Sequence, residues 1–280
     1  MADHPTPPPA ADHPTPPPTP DHPTPAPWAR LGDLPYPEVA ALLARPGPKV
    51  AILPIGSTEA HGPHLPLATD SILSQGMAEA GAAELARRGV AALGLPPTHY
   101  AVTEWARGFA GSTSIAPEVA ISMLLGTCTA VKAMGLDRVV IVSAHLEPGH
   151  IAALREVARR YQAALGEPLV FPDKTRRHNA ARLTPEFQSG SCHAGQYETS
   201  LVLALRPDLV RRDLAAALPR RDVPLAEHIR AGADGFLACG MDQAYCGAPA
   251  EASAEEGRRT LAALADLIAD ATLAALAPAP

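Results

Sequence analysis

The 280 residues carry 23 Lys and Arg against 29 Asp and Glu, a net charge of −6 with both signs scattered along the chain. That pattern offers no basic stripe for a nucleic-acid backbone. Four cysteines (Cys128, Cys192, Cys239, Cys246) form no CxxC pair and read as reduced thiols of a cytoplasmic protein, and with no apolar run of membrane-span length and no basic-then-apolar leader, no membrane partner is expected.

The chain opens on a repeated phrase, ADHPTPPP at 2–9 and again at 11–18, then DHPTP at 21–25. Proline at that density removes backbone donors and favours polyproline II, so residues 1–27 read as a solvated, disordered tail and 28–280 as the globular domain. His4, His13 and His22 recur in the tail, but nothing there fixes ligand geometry. From Trp28 the composition becomes globular. A helix is expected over Tyr36–Arg45, ending before Pro46-Gly47, then a buried strand over Val50–Ile55 (VAILPI).

Directly after that strand the stretch IGSTEAHGPHLPLATD places Glu59, His61, His64 and Asp70 within twelve residues, four candidate metal ligands on a loop stiffened by Pro63 and Pro66. Glu59 and His61 are two apart, so on extended backbone their side chains leave on one face. Asp70 and Ser71 also stand where a helix N-cap belongs, ahead of an alanine-rich helix over about Ile72–Arg88. A second strand is expected over Val90–Leu95, followed by a loop to Thr113 whose Trp105, Phe109 and Gly111-Ser112-Thr113 suit a pocket lining. A helix from Glu118 to near Gly135 leads to the strongest strand, Arg138–Ser143 (RVVIVS).

That strand exits into His145-Leu146-Glu147, a mirror of the earlier arrangement. Two such exits converge at one edge of a parallel sheet. The five ligands Glu59, His61, Asp70, His145 and Glu147 exceed what one tetrahedral zinc needs and suit two divalent ions bridged by a carboxylate. Beyond lie a helix over Gly149–Leu165, a short strand at Pro168–Phe171 and a basic, irregular stretch from Lys174 to Gln188. His193 and Glu198 then flank a helix start, where Glu198 could serve only to offset the dipole. A last helix, capped near Ser253, runs over about Ala254–Leu276, with Leu261, Leu264, Leu267 and Ile268 facing core or a neighbouring subunit.

GSTEAHGPHLPLATD, SAHLE, CHAGQYETS, GFAGSTSI and GAPAEASAEEG, in that order, resemble the creatininase family of metal-dependent amidohydrolases. The resemblance implies an α/β fold, a three-layer αβα sandwich on a mostly parallel central sheet, and commonly a homohexamer. It also implies two divalent ions per chain, Zn2+ or Mn2+ with Fe2+ as a further choice. Carried across, Glu59 and His145 hold one ion, His61 and Glu147 the other, and Asp70 bridges them, with His193 as proton shuttle and Glu147 also catalytic. Ser112, Leu146, Gln196 and Glu198 are candidate substrate-pocket residues. Glu147 together with Gln196, in the position where many members carry a HAGE glutamate, is the pattern similar to creatininase proper. That enzyme's covering tryptophans and the tyrosine between its metal His and Glu have no counterpart here, where Leu146 stands instead.

The expected function is hydrolysis of a C–N bond in a cyclic or small amide, a small-molecule substrate. Alternatives are ring-opening of a cyclitol ketone, peptide processing, or a non-catalytic metal-binding assembly role.

Overall fold

A computed structural model describes residues 28–277. The proline-rich tail expected over 1–27 lies outside the described residues, as do 278–280. The elements in chain order are β1 (Trp28–Arg30), α1 (Tyr36–Leu43), β2 (Lys49–Ile55), α2 (Thr69–Arg87), β3 (Ala91–Gly94), α3 (Pro117–Lys132), β4 (Arg138–Ser143) and α4 (Pro148–Leu165). There follow α5 (Arg177–Ala180), α6 (Pro185–Ser189), α7 (Gln196–Leu205), α8 (Arg212–Ala217), α9 (Leu225–Arg230) and α10 (Ala254–Leu276).

Apolar runs without alternation predict strands buried on both faces, and that is what they form. The sheet order is β1-β3-β2-β4 with every neighbouring pair parallel. Successive side chains of β2 and β4 point to opposite layers. Val50, Ile52, Val140 and Val142 pack with Leu73, Met77 and Leu85 of α2, Leu201 of α7, and Leu264 and Ile268 of α10. Ala51, Leu53, Ile55, Val139 and Ile141 pack on the other side with Leu42 of α1, Leu124 and Cys128 of α3, and Leu154, Val157 and Tyr161 of α4. The result is the αβα sandwich expected. The apolar face of α10 is core: Leu264, Leu267 and Ile268 are buried, and Leu261 packs against the same cluster.

Four local expectations are corrected. β1 was not anticipated; three residues after a proline tract show no periodicity. The strand expected over Pro168–Phe171 shrinks to a single parallel bridge, Val170 to Val140. The stretch expected to be irregular over 174–188 holds α5 and α6. Finally, α2 begins at Thr69, its N-cap position falls on Ala68 with no side-chain cap, and Asp70 lies inside the first turn. At the start of α10 the cap is as expected, Ser253 Oγ accepting from the Glu256 N–H at 3.2 Å. Among the described residues no helix is long and apolar enough to cross a membrane.

Candidate metal centre

β2 and β4 run in register from Val50 opposite Arg138 to Ile55 opposite Ser143, so their exits leave the sheet side by side. One α2 side chain joins them. The buried Ser74 hydroxyl donates to the Ile55 carbonyl at 2.7 Å and accepts from the Ala144 N–H at 2.8 Å. The Glu-Ala-His stretch after β2 and the His-Leu-Glu stretch after β4 therefore meet over the N-terminal turn of α2, which supplies Asp70.

The donors converge. His145 Nδ1 lies 3.0 Å from Glu59 Oε1 and 3.2 Å from Asp70 Oδ2, while its Nε2–H donates to the Val102 carbonyl at 2.8 Å. His61 Nε2 lies 3.5 Å from Glu198 Oε2, 3.6 Å from Asp70 Oδ1 and 3.9 Å from Glu59 Oε1, and its Nδ1–H faces the carbonyl of Glu59 at 3.2 Å. Each ring thus spends one nitrogen on a backbone carbonyl, which fixes the tautomer and turns the other nitrogen toward carboxylates, the usual second contact of a metal-binding histidine. Three overlapping groups bring their ligand atoms within 4.8 Å of one another: Glu59, Asp70 and His145; His61, Asp70 and Glu198; Glu59, His61 and His193. Glu59, His61, Asp70, His145 and Glu198 are at most 3% exposed, so solvent does not neutralise them.

Burial and mutual charge shape this cluster. Burial alone would lower the His61 pKa, yet Asp70, Glu198 and Glu59 outweigh it and lift it to about 10. His145 is raised in the same way by Glu59 and Asp70. Asp70 is held well below the usual carboxylate range by His61 and His145 in spite of its burial, whereas burial raises Glu59 and takes Glu198 up to about 7. Among the described residues Glu59 Oε2, Asp70 Oδ2 and His61 Nε2 find no hydrogen-bond partner. Buried, unpartnered donors of this kind are costly unless a cation satisfies them, and a mixed imidazole and carboxylate set fits zinc, manganese or iron.

Glu147 is brought to the same place but into a different relation. Its Oε2 accepts from the Trp105 N–H at 3.0 Å and stands 4.0 Å from His145 Nε2, and it belongs to none of the three groups. Next to His61, where the resemblance puts Glu147, the structure puts Glu198. Burial pushes the Glu147 carboxyl up to about 7. His193 is half-buried; its ring lies 4.4 Å from that of His61 and stacks on Phe236 at 4.2 Å, and its Nε2–H meets the Ala60 carbonyl at 3.0 Å. Burial, then the charge on His61, lowers its pKa well below the ordinary value.

The segment carrying His193 and Glu198 is bent by Ala194, a non-glycine residue at φ +51°, a conformation that costs roughly 1–2 kcal/mol. It presents the Ala194 N–H to Glu198 Oε2 at 2.8 Å. His64, fourth of the ligands read from the loop, is turned away to Thr199, its Nε2 2.8 Å from Oγ1.

Glu186 was missed by sequence reasoning. From α6 its Oε1 accepts from the Tyr197 N–H and its Oε2 from the Ala248 N–H, both at 2.8 Å. A Cβ at Gly195 or Gly247 would overlap this carboxylate, so both glycines are required by close approach. Glu186 thereby pins the start of α7, and with it His193 and Glu198.

The centre opens into a cleft of about 310 Å3 whose lining includes Glu59, Asp70, His145, Leu146, Glu147, His193 and Glu198. Ser112 and Gln196 do not line it. Ser112 Oγ accepts from the Ala60 N–H at 3.0 Å and supports the loop from behind. Gln196, first residue of α7, donates to Glu256 Oε2 at 2.6 Å and faces a separate cleft of about 510 Å3 that contains none of the convergent donors.

A family model for creatininase, described as creatinine amidohydrolase, matches residues 32–272. The mycofactocin precursor peptide peptidase of Mycobacterium ulcerans (strain Agy99) is 32% identical over 219 residues, 77% of this chain and 81% of that protein. Creatinine amidohydrolase of Pseudomonas putida is 28% identical over 270 residues, covering 86% and 95%. A crystal structure of creatinine amidohydrolase (creatininase) superposes with a TM-score of 0.61 at 25% identity, covering 91% of this chain and 99% of that one. With the family match running through almost all of the described residues, the chain belongs to the creatininase family and is a hydrolase of that family.

Proposed function

We propose that the chain hydrolyses an amide C–N bond at a centre of two divalent cations, and that its substrate is a peptide or a peptide-like amide. The observation that carries this is Asp70: it is shared by two buried donor groups, one completed by Glu59 and His145, the other by His61 and Glu198. Glu59, Asp70 and His145 would hold one cation and His61, Asp70 and Glu198 a second. Cations held there would supply Lewis acidity for the attack of water on the amide carbonyl.

The chain's own groups handle the protons. Glu147, held near pH 7 by burial and aimed by the Trp105 N–H, takes the proton from the attacking water. His193, kept neutral by burial and by the charge on His61, has its second ring nitrogen free to receive that proton from Glu147 and pass it to the leaving nitrogen as the C–N bond breaks, which returns both groups to their starting states. Water's oxygen ends on the carbonyl carbon and the amine leaves neutral.

A peptide is favoured over creatinine by two features. The relatives at 32% identity are named as peptide peptidases, and beyond Glu147 the chain has no tryptophan with which to cover a small planar ring. The test is metal content by mass spectrometry with turnover of peptide, formamide and lactam panels before and after chelation. Two ions per chain and chelator-reversible amide cleavage are expected; no more than one ion and no turnover would leave a non-catalytic metal-binding role.

A further inference from the structure

We propose that the wall formed by Leu146, Phe187, Leu225, Ile229 and Phe236 is the specificity subsite, which receives an aliphatic or aromatic group carried next to the scissile amide and refuses an acidic one. Only the word scissile rests on the amidohydrolase reading; the preference for apolar groups is a property of the cleft itself. All five residues line the cleft that holds the donor cluster, and among the described residues no lysine or arginine lines it.

The inner part of the wall, Phe187 and Phe236, is buried, and its outer part on α9 is open to solvent. α9 buries none of its residues, yet its Leu225, Ala226 and Ile229 line the cleft whereas Glu227 and Arg230 do not. Ile229 is 41% exposed, a large aliphatic group left uncovered at the mouth of a site. Phe236 is fixed, its N–H donating to the Trp105 carbonyl at 2.9 Å and its ring edge-on to Trp105 at 5.9 Å. Since Phe236 also stacks on His193, the apolar wall is continuous with the reacting groups.

An acidic substrate group would find no cationic side chain there among the described residues, and the lining carries the acidic Glu59, Asp70, Glu147 and Glu198. Lys174 is buried behind the wall, its Nζ 5.7 Å from the centre of the Phe187 ring and 5.6 Å from that of Tyr197. A carboxylate pressed against this surface loses hydration without compensation. An apolar group instead gains about fourfold in affinity for each methylene it buries.

The test is calorimetric titration of the zinc-loaded full chain with three hydroxamates that share a metal-binding head: acetohydroxamate, hexanohydroxamate and succinohydroxamate. The hexanoyl tail should tighten binding at least about tenfold over the acetyl form, and the acidic succinyl tail should give no gain. Ile229→Asp and Leu225→Asp should each remove most of the hexanoyl advantage. Equal affinities for all three probes, or an advantage untouched in both variants, would overturn the proposal. Turnover of leucyl, phenylalanyl, aspartyl and lysyl amides forms a separate arm: tail-dependent binding without cleavage of any amide keeps the subsite and removes the amidohydrolase reading, whereas cleavage indifferent to the side group does the reverse.

Discussion

Ser74 is the residue whose removal should do most damage to the centre without touching a donor. Its hydroxyl stands between the Ile55 carbonyl and the Ala144 N–H at 2.7 and 2.8 Å, where the β2–β4 ladder would otherwise continue directly. Serine, carbonyl and amide all belong to residues at most 1% exposed, so Ser74→Ala orphans two buried backbone groups. Each such loss costs about 1–3 kcal/mol; a partial collapse of the two strand exits toward one another would recover some of it, and a net loss of about 2–4 kcal/mol is expected. Against a total of about 5–15 kcal/mol for a domain the protein stays folded, but the exits that carry Glu59 and His145 change their spacing, and metal affinity should fall by about ten- to a hundredfold. Urea unfolding of chelator-treated protein gives the first quantity and competition titration with a zinc indicator the second. Ser74→Gly, which leaves space for a bridging water, should lose less of both. Stability within about 0.5 kcal/mol of the parent, a margin typical of an inert surface change, together with unaltered metal affinity, would refute the idea that this hydroxyl sets the distance between the two exits.

The remaining predictions concern single groups. Asp70→Asn should leave the desalted protein without either ion, Glu198→Gln should cost one, and Glu147→Gln should keep both while turnover drops at least about a hundredfold; two ions retained in Asp70→Asn by mass spectrometry would defeat the bridging role. Glu186→Ala orphans the N–H groups of Tyr197 and Ala248 and should destabilise the fold by about 3 kcal/mol in urea, with Glu186→Gln intermediate; no difference between the two variants would count against the pinning role. Burial, then His61, pushes the His64 pKa from its ordinary value down to about 4, so between pH 6.5 and 4 the unfolded chain binds a proton that the folded chain refuses. Stability contributed by His64 is therefore present above pH 6.5 and lost on acidification, up to about 3 kcal/mol; a His64→Gln variant should flatten urea stability across that window, and an unchanged slope would show that His64 is not the titrating group.

The fold was readable where burial is complete. Val50–Ile55 and Arg138–Ser143 are apolar at every internal position because both faces are covered, and a short run of that kind, bounded by polar or turn residues, marks a buried strand. β1 was not readable, because three residues at a sheet edge carry no pattern. The start of α2 was misplaced for an instructive reason: Asp70-Ser71 looks like a cap, but the chain has already turned, Thr69 Oγ1 donating to the Pro66 carbonyl at 2.6 Å and the Ile72 N–H to the Ala68 carbonyl at 3.0 Å. Starting a few residues earlier puts Asp70 within the first turn, where its carboxylate has no backbone N–H to cap and faces the two histidines instead.

The donors themselves were legible because they cluster locally, an ExH after one strand and an HxE after another. Which donors share an ion is not a local property. Glu147 follows His145 by two residues, but its backbone already enters α4, whose first residue is Pro148, and its carboxylate is claimed by the Trp105 N–H. Glu198 lies more than a hundred residues from His61 in sequence and reaches it only because Ala194 adopts a left-handed turn and Glu186 ties down the start of α7. Glu186 has no signature of its own: its partners stand 11 and 62 residues away. A carboxylate's role at such a centre is thus decided by the backbone that delivers it. The two that stand close in sequence to the metal-facing histidines, Glu59 and Glu147, end in different relations to the same pair of rings.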